Sequence, residues 1–153
     1  MHRPIAACLM AAAAVAVLAA GDFTQTLRAR YPKGIPWHIE FLAADGKTLG
    51  VLDALITSER GDSCLGEMSE GVRVDYVGKE AISPSLFLGS HGVARISGDS
   101  IKIDLTGGIC DAYLIMSGTV AADGSSTGEL YRFGMRGSND VGTYRATVRS
   151  RSR

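Results

Sequence analysis

The chain has 153 residues, with 16 basic and 16 acidic side chains. That length suits one hydrophobic core rather than two, and a net charge of zero supplies no global field to gather nucleic acid or anionic lipid. Nineteen glycines, in no collagen period or low-complexity run, mark turns and tight strand packing.

Residues 1–20 differ in character from the rest of the chain. Met1 to Pro4 form a short basic start, Ile5 to Leu18 are apolar and alanine-rich, and Val17-Leu18-Ala19 or Leu18-Ala19-Ala20 offers a small-residue cleavage site. This is the pattern of a secretory signal peptide, too short and wrongly flanked for a stable membrane span; an uncleaved N-terminal anchor is the alternative. The lipobox-like Ile5-Ala6-Ala7-Cys8 precedes most of the apolar run, so cleavage there would leave that run on the mature protein. The composition, rich in Ala, Gly and Arg, suggests a bacterial protein bound for the periplasm or the exterior. No second apolar stretch is long enough to span a bilayer as a helix.

Removal of the signal takes Cys8 and leaves Cys64 and Cys110. An even count in an oxidising compartment reads as one disulfide, Cys64–Cys110, worth roughly 4 kcal/mol in the chain-entropy account. Metal binding and free thiols are the alternatives; no CxxC or HxxxH spacing supports the first.

Residues 21–36 form a leader and linker. Asp22 with Gln25 resembles a capping box, Phe23 and Leu27 share a helical face, and Pro32 would stop the helix. A disordered leader is the competing expectation. The main domain spans residues 37–149, and residues 150–153 are a basic tail. Trp37 to Leu42 alternates as a strand, Asp45-Gly46 signals a hairpin, and Thr48 to Ser58 returns. A short strand is expected around Cys64, then Gly71 to Val77. Residues 78–91 are irregular and carry Pro84, which is unsuited to a central strand. Val93 to Ile96 and Ile101 to Leu105 pair about Ser97-Gly98-Asp99-Ser100. Ala112 to Val120, Gly128 to Met135 and Gly142 to Arg149 complete the set, the last with Tyr144, Ala146 and Val148 on one face.

Eight or nine strands joined by short connections predict an all-β antiparallel up-and-down meander. Closure into a barrel would remove two exposed edges; an open or two-layer sheet is the runner-up. The layout resembles that of lipocalin-type and avidin-type barrels, in layout alone: no lipocalin Gly-x-Trp start occurs at the expected place. The inward set is expected to be Trp37, Ile39, Phe41, Leu52, Ile56, Val72, Val74, Tyr76, Ile96, Ile101, Ile103, Leu105, Tyr131, Phe133, Tyr144, Ala146 and Val148. Most are large, which favours a filled interior over a hollow one.

No sequence pattern identifies a catalytic residue. The mature histidines, His38 and His91, lack a Gly-x-Ser-x-Gly partner. Asp53, Glu67, Asp75, Asp104 and Asp111 could supply a carboxylate pair, yet on strands most fall opposite the apolar face, where solvated charge is the ordinary reading. Asp53 and Asp111 are the least implausible choices for a carboxylate-dependent extracytoplasmic hydrolase, the alternative function. Arg132, Arg136, Arg145, Arg149, Arg151 and Arg153 give the C-terminal end a basic bias, but Tyr131, Phe133 and Tyr144 alternate with them on the opposite face, so this reads as a solvated strand face and a loose tail rather than a nucleic-acid surface.

What remains is a small, exported, non-enzymatic binding or inhibitor-like barrel, whose partner is a protein or a small apolar ligand, with no cofactor or metal expected. Ile82, Leu86, Phe87 and Leu88, with His91 beyond them, are the candidate binding residues. This apolar, proline-broken segment is expected to cover one end of the barrel, with Phe87 or Leu88 reaching the inward set; a partner-recognition loop is the alternative. If Phe87 is part of a lid, Phe87→Ala should lower stability by about 3 kcal/mol, visible in a thermal melt; an unchanged melt would fit a recognition loop.

Overall fold

The computed structural model describes residues 20–149. The expected signal peptide, apart from Ala20, and the expected basic tail lie outside the described residues. Helix α1 (Ala20–Arg30) precedes eight strands: β1 (Ile35–Leu42), β2 (Thr48–Arg60), β3 (Val72–Glu80), β4 (His91–Ser97), β5 (Ser100–Gly107), β6 (Ala112–Val120), β7 (Ser126–Gly134) and β8 (Gly137–Val148). Each strand pairs antiparallel with the next, and β8 returns to β1, closing the barrel. The expected meander is therefore a closed one.

Period-2 patterning decides which side chains enter the barrel. β1 alternates buried and half-buried positions along its whole length, placing Ile35, Trp37, Ile39 and Phe41 inside. Every strand contributes to the same interior cluster: Leu52, Ala54 and Ile56 from β2, Val74 from β3, Ala94 from β4, Ile101, Ile103 and Leu105 from β5, Leu114 and Met116 from β6, Leu130 from β7, Tyr144 and Ala146 from β8. Large side chains fill the interior. Tyr144 fits because its cross-strand neighbours lack side chains: it pairs with Gly128, which pairs with Gly118. A Cβ on Gly118 would lie 2.5 Å from the Tyr144 hydroxyl, which bonds Ser126 Oγ at 2.8 Å.

The two ends differ. At the end where β1 begins, Leu27 and Tyr31 are buried against the interior cluster, so α1 closes that mouth with its last turn. At the opposite end, the chain leaves β3 through Ala81 in the left-handed region, φ 47°, and residues 81–90 fold over the rim. Leu86 enters the interior cluster, and Ile82 and Leu88 pack against it. Phe87 does not: half of it is exposed.

Three expectations need correction. Cys64 lies on no strand; residues 61–71 form a loop with a single 3-10 turn, Gly66–Met68. Tyr131 and Phe133 do not point inward. Their cross-strand partners are Ile115 and Tyr113, while Leu114, an interior residue, pairs with Arg132. Because Leu130 holds the inward position, alternation turns Tyr131 and Phe133 to the outer face. Finally, Asp104 is not a solvated charge but fully buried.

The loop explains that burial. Residues 61–71 fold back over the outer wall of β4 and β5, where Met68, Val93 and Ile115 are buried outside the interior cluster. Ser63 Oγ donates to Asp104 Oδ2 at 2.7 Å. Thr106 donates to Oδ1 through its backbone N at 2.9 Å and its hydroxyl at 2.6 Å. Glu67 accepts from Lys102 at 3.0 Å, and the expected Cys64–Cys110 disulfide is present.

Tyr76, from β3, donates its hydroxyl to the Leu105 carbonyl at 2.6 Å. Burial, and secondarily the charge of Asp104, push its phenol far above the ordinary tyrosine range. The unfolded chain ionises this group near pH ~10, while the fold keeps it protonated, so unfolding in alkali releases a proton. Above pH ~10 the parent protein should therefore lose about 1.4 kcal/mol of stability per pH unit on account of Tyr76. Urea titrations of parent and Tyr76→Phe across this range should show a slope shallower by that amount in the variant; parallel slopes would contradict the assignment.

Candidate functional site

The rim holding residues 81–90 also carries an extension of the barrel wall. The β5–β6 ladder ends at Asp104↔Ile115, and the β1–β8 ladder ends at Leu42↔Thr143. Beyond those points β6, β7 and β8 continue together, with Ala112↔Gly134 and Gly134↔Gly137 at the tip. This three-stranded tongue therefore stands clear of the wall. Gly137 adopts φ 97°, a conformation that favours glycine, and lets the chain reverse through Met135 and Arg136.

The tongue and Phe87 enclose a groove of about 550 Å³. Its apolar lining comes from Phe87, Tyr113, Phe133 and Met135, and its cationic groups from Arg132 and Arg136. Tyr113 and Phe133, directly opposite on β6 and β7, stack with ring centroids 6.1 Å apart. Three of the four apolar side chains remain in water: Phe87 is 50% exposed, Phe133 45% and Met135 91%. Leaving such surface wet is unfavourable by about 25 cal/mol per Å². Asp111, at φ 73°, borders the same groove from the β5–β6 loop. Arg132 Nη2 donates to the Ser85 carbonyl, tying the tongue to the loop over the rim.

The expected binding residues do not form one site. Phe87 lines the groove, whereas Leu86 is in the interior. Ile82 packs near Gly50 on β2, and Leu88 is partly buried against the interior cluster. His91 opens β4 on the outer wall, its ring against Gly107, with Nδ1 3.0 Å from Ser90 Oγ and a buried Nε2 that has no hydrogen-bond partner among the described residues. The residues that join Phe87 at the groove come from the β6 and β7 strands and the β7–β8 turn. A sequence signal for them exists in Phe133-Gly134-Met135-Arg136-Gly137, where two large apolar residues flank a glycine-bounded reversal.

The carboxylates lie apart. Asp53, on the outer face of β2, takes His38 Nδ1 at 2.8 Å on one oxygen and Arg149 Nη1 at 2.9 Å on the other. Arg149 also approaches His38 Nδ1 at 3.0 Å. These contacts give the half-buried Asp53 the partners it requires and pin β1, β2 and the end of β8 together. Asp111 is on a different loop, and no described contact links it to Asp53. Among the described residues no cluster of three or more His, Cys, Asp or Glu could hold a metal ion, and no helix is long and apolar enough to cross a membrane.

No protein-family model, curated protein or solved structure matches this chain. The class it can be assigned is the one its own strands define: an eight-stranded, closed, antiparallel meander barrel.

The neighbouring residues Leu86 and Phe87 should separate in a stability test. Leu86→Ala, at a position only 4% exposed, should lower stability by about 2–5 kcal/mol. Phe87→Ala should cost about 1 kcal/mol or less, because half the ring is already in water. Thermal melts of the two variants beside the parent measure the contrast; equal losses would mean that Phe87 is structural.

Proposed function

We propose that the protein is an exported, non-enzymatic binding protein that receives the apolar part of its ligand in the rim groove. The observation that carries this reading is the location of exposed apolar surface. The interior is filled by side chains from all eight strands, while Phe87, Phe133 and Met135 stay exposed around one concavity. A concave, mainly apolar site with a few polar groups is the usual form of a small-molecule site, and contiguous exposed apolar surface marks interaction. The apolar segment Ile5 to Leu18 and the Cys64–Cys110 bridge support export to an oxidising compartment.

An uncharged apolar fluorophore, N-phenyl-1-naphthylamine, tests the reading. Its emission should rise on mixing with the parent protein. The double variant Phe87→Ser/Phe133→Ser should lose most of that rise while its melting temperature stays within about 5 °C of the parent, since both residues are half-exposed. Equal emission with parent and variant would overturn it.

A further inference from the structure

We propose that the Cys64–Cys110 disulfide is a reaction site for a dithiol reductant, and that its reduction opens the loop of residues 61–71 as a flap while the barrel stays closed. Cysteine is among the most buried residue types, yet both of these are exposed, so a thiolate can reach the sulfurs without unfolding the chain. Exposed bridges are the labile ones among disulfides. The exchange balances as a two-electron step. A thiolate of the reductant attacks one Sγ, the S–S bond breaks, and the other Sγ leaves as a thiolate that takes up a proton. The reductant's second thiol then resolves the mixed disulfide. Cys64 and Cys110 together gain two electrons and two protons, and the reductant departs as its own disulfide.

The position of the bridge decides what its loss releases. It ties the loop of residues 61–71 to the connection between β5 and β6, and neither belongs to a strand ladder. The eight pairings that close the barrel, β8 with β1 included, do not pass through it. The freed loop holds itself weakly. It contains Gly61, Gly66 and Gly71, whose backbones regain the most freedom on release, and its one regular element is the three-residue turn Gly66–Met68. Beneath it lies the fully buried Asp104. The hydrogen bonds of that carboxylate come from Ser63 and Thr106, and no cation contacts it among the described residues. Opening the flap hydrates this charge, which a dry site disfavours. Against opening stand the burial of Met68 and two contacts of Glu67, with Lys102 and with Arg95. Both of those contacts are exposed, where ion pairs and charged hydrogen bonds hold least. Cys64, next to Ser63, is the covalent fastener beside the Asp104 contact.

Opening bares a defined surface. Val93, Asp104, Ile115 and Tyr131 are successive cross-strand partners on β4, β5, β6 and β7, one row across the outer wall. Val93 and Ile115 are buried outside the interior cluster. With the flap away, the row becomes an apolar strip with one carboxylate in it, a kind of surface that marks interaction. The oxidised protein keeps that strip covered and the reduced protein presents it.

Hydrogen exchange of the full mature chain, read by mass spectrometry before and after dithiothreitol at neutral pH, tests the switch. Reduction should proceed in the folded protein and add about 2 Da, the mass of two thiol hydrogens. The amides of Met68, Ser69 and Gly71, which bond within the loop, should then exchange about tenfold faster or more, while those of β1 and β8 keep their rates. The double variant Cys64→Ser/Cys110→Ser should match the reduced protein in both respects. A bridge that dithiothreitol reaches only in denaturant would overturn the proposal, and so would unchanged loop exchange after reduction, since the flap would then be held without the bond. Faster exchange throughout the chain, or a double variant that fails to fold, would overturn it by showing that the bridge holds the barrel itself.

Discussion

The packing of Tyr144 across Gly128 and Gly118 is the constraint on which much of this molecule depends. An eight-stranded barrel has an interior that is either just filled or able to hold a small ligand, and here an aromatic ring spans three adjacent strands. The two glycines remove the side chains that would compete for the space, and Ser126 shares a hydrogen bond with the phenol. With Trp37, Phe41, Met116 and Leu130 also inside, the barrel serves as a rigid core. Recognition is displaced to its surface, and the surface is not uniform.

One wall is closed over. The loop of residues 61–71 lies on β4 and β5, fixed by the disulfide, by Glu67 with Lys102, and by Ser63 on the buried Asp104 carboxylate. A buried carboxylate with three hydrogen bonds fixes a loop's position in a way that apolar contacts alone do not, since losing any donor leaves the charge less satisfied. The seam between β1 and β8 carries its own polar clasp in His38, Asp53 and Arg149. The tongue of β6, β7 and β8 has no such cover. Its Tyr113 and Phe133 stack on each other, and nearly half of Phe133 faces water.

Much of the architecture was readable because a meander is built from local signals. Alternation in Trp37 to Leu42 and in Gly142 to Arg149, with Asp45-Gly46 and Gly98-Asp99 between strands, sets strand order without long-range information. Pairing Cys64 with Cys110 needed only an even count. What could not be read was phase and cover. β7 carries aromatics at Tyr131 and Phe133, and hydrophobicity alone places them inside; yet Leu130 occupies the inward row, and a register shift at Leu130/Tyr131 against β8 separates the barrel from its tongue. Asp104 looks solvated from β5 alone, because the loop that buries it lies far earlier in the chain, Ser63 being 41 positions away. Phe87 is the one expected binding residue at the groove, and its neighbours there come from a hairpin whose tip reads in sequence as the end of a core strand.

The closing ladder also sets a timetable for the chain. Six positions of β1, Trp37 to Leu42, find their second partners only in Thr143 to Val148. Every later strand can pair with the one just made, but the outer edge of β1 must wait, bare, until β8 is synthesised and delivered. Barrel closure therefore waits on β8. A chain cut before Gly142 would lose that closing ladder together with half of the β7–β8 ladder and Tyr144 itself. Such a product would carry two sticky edges, and a stall or a nick before or within β8 would surface as aggregation rather than as a slightly weaker protein.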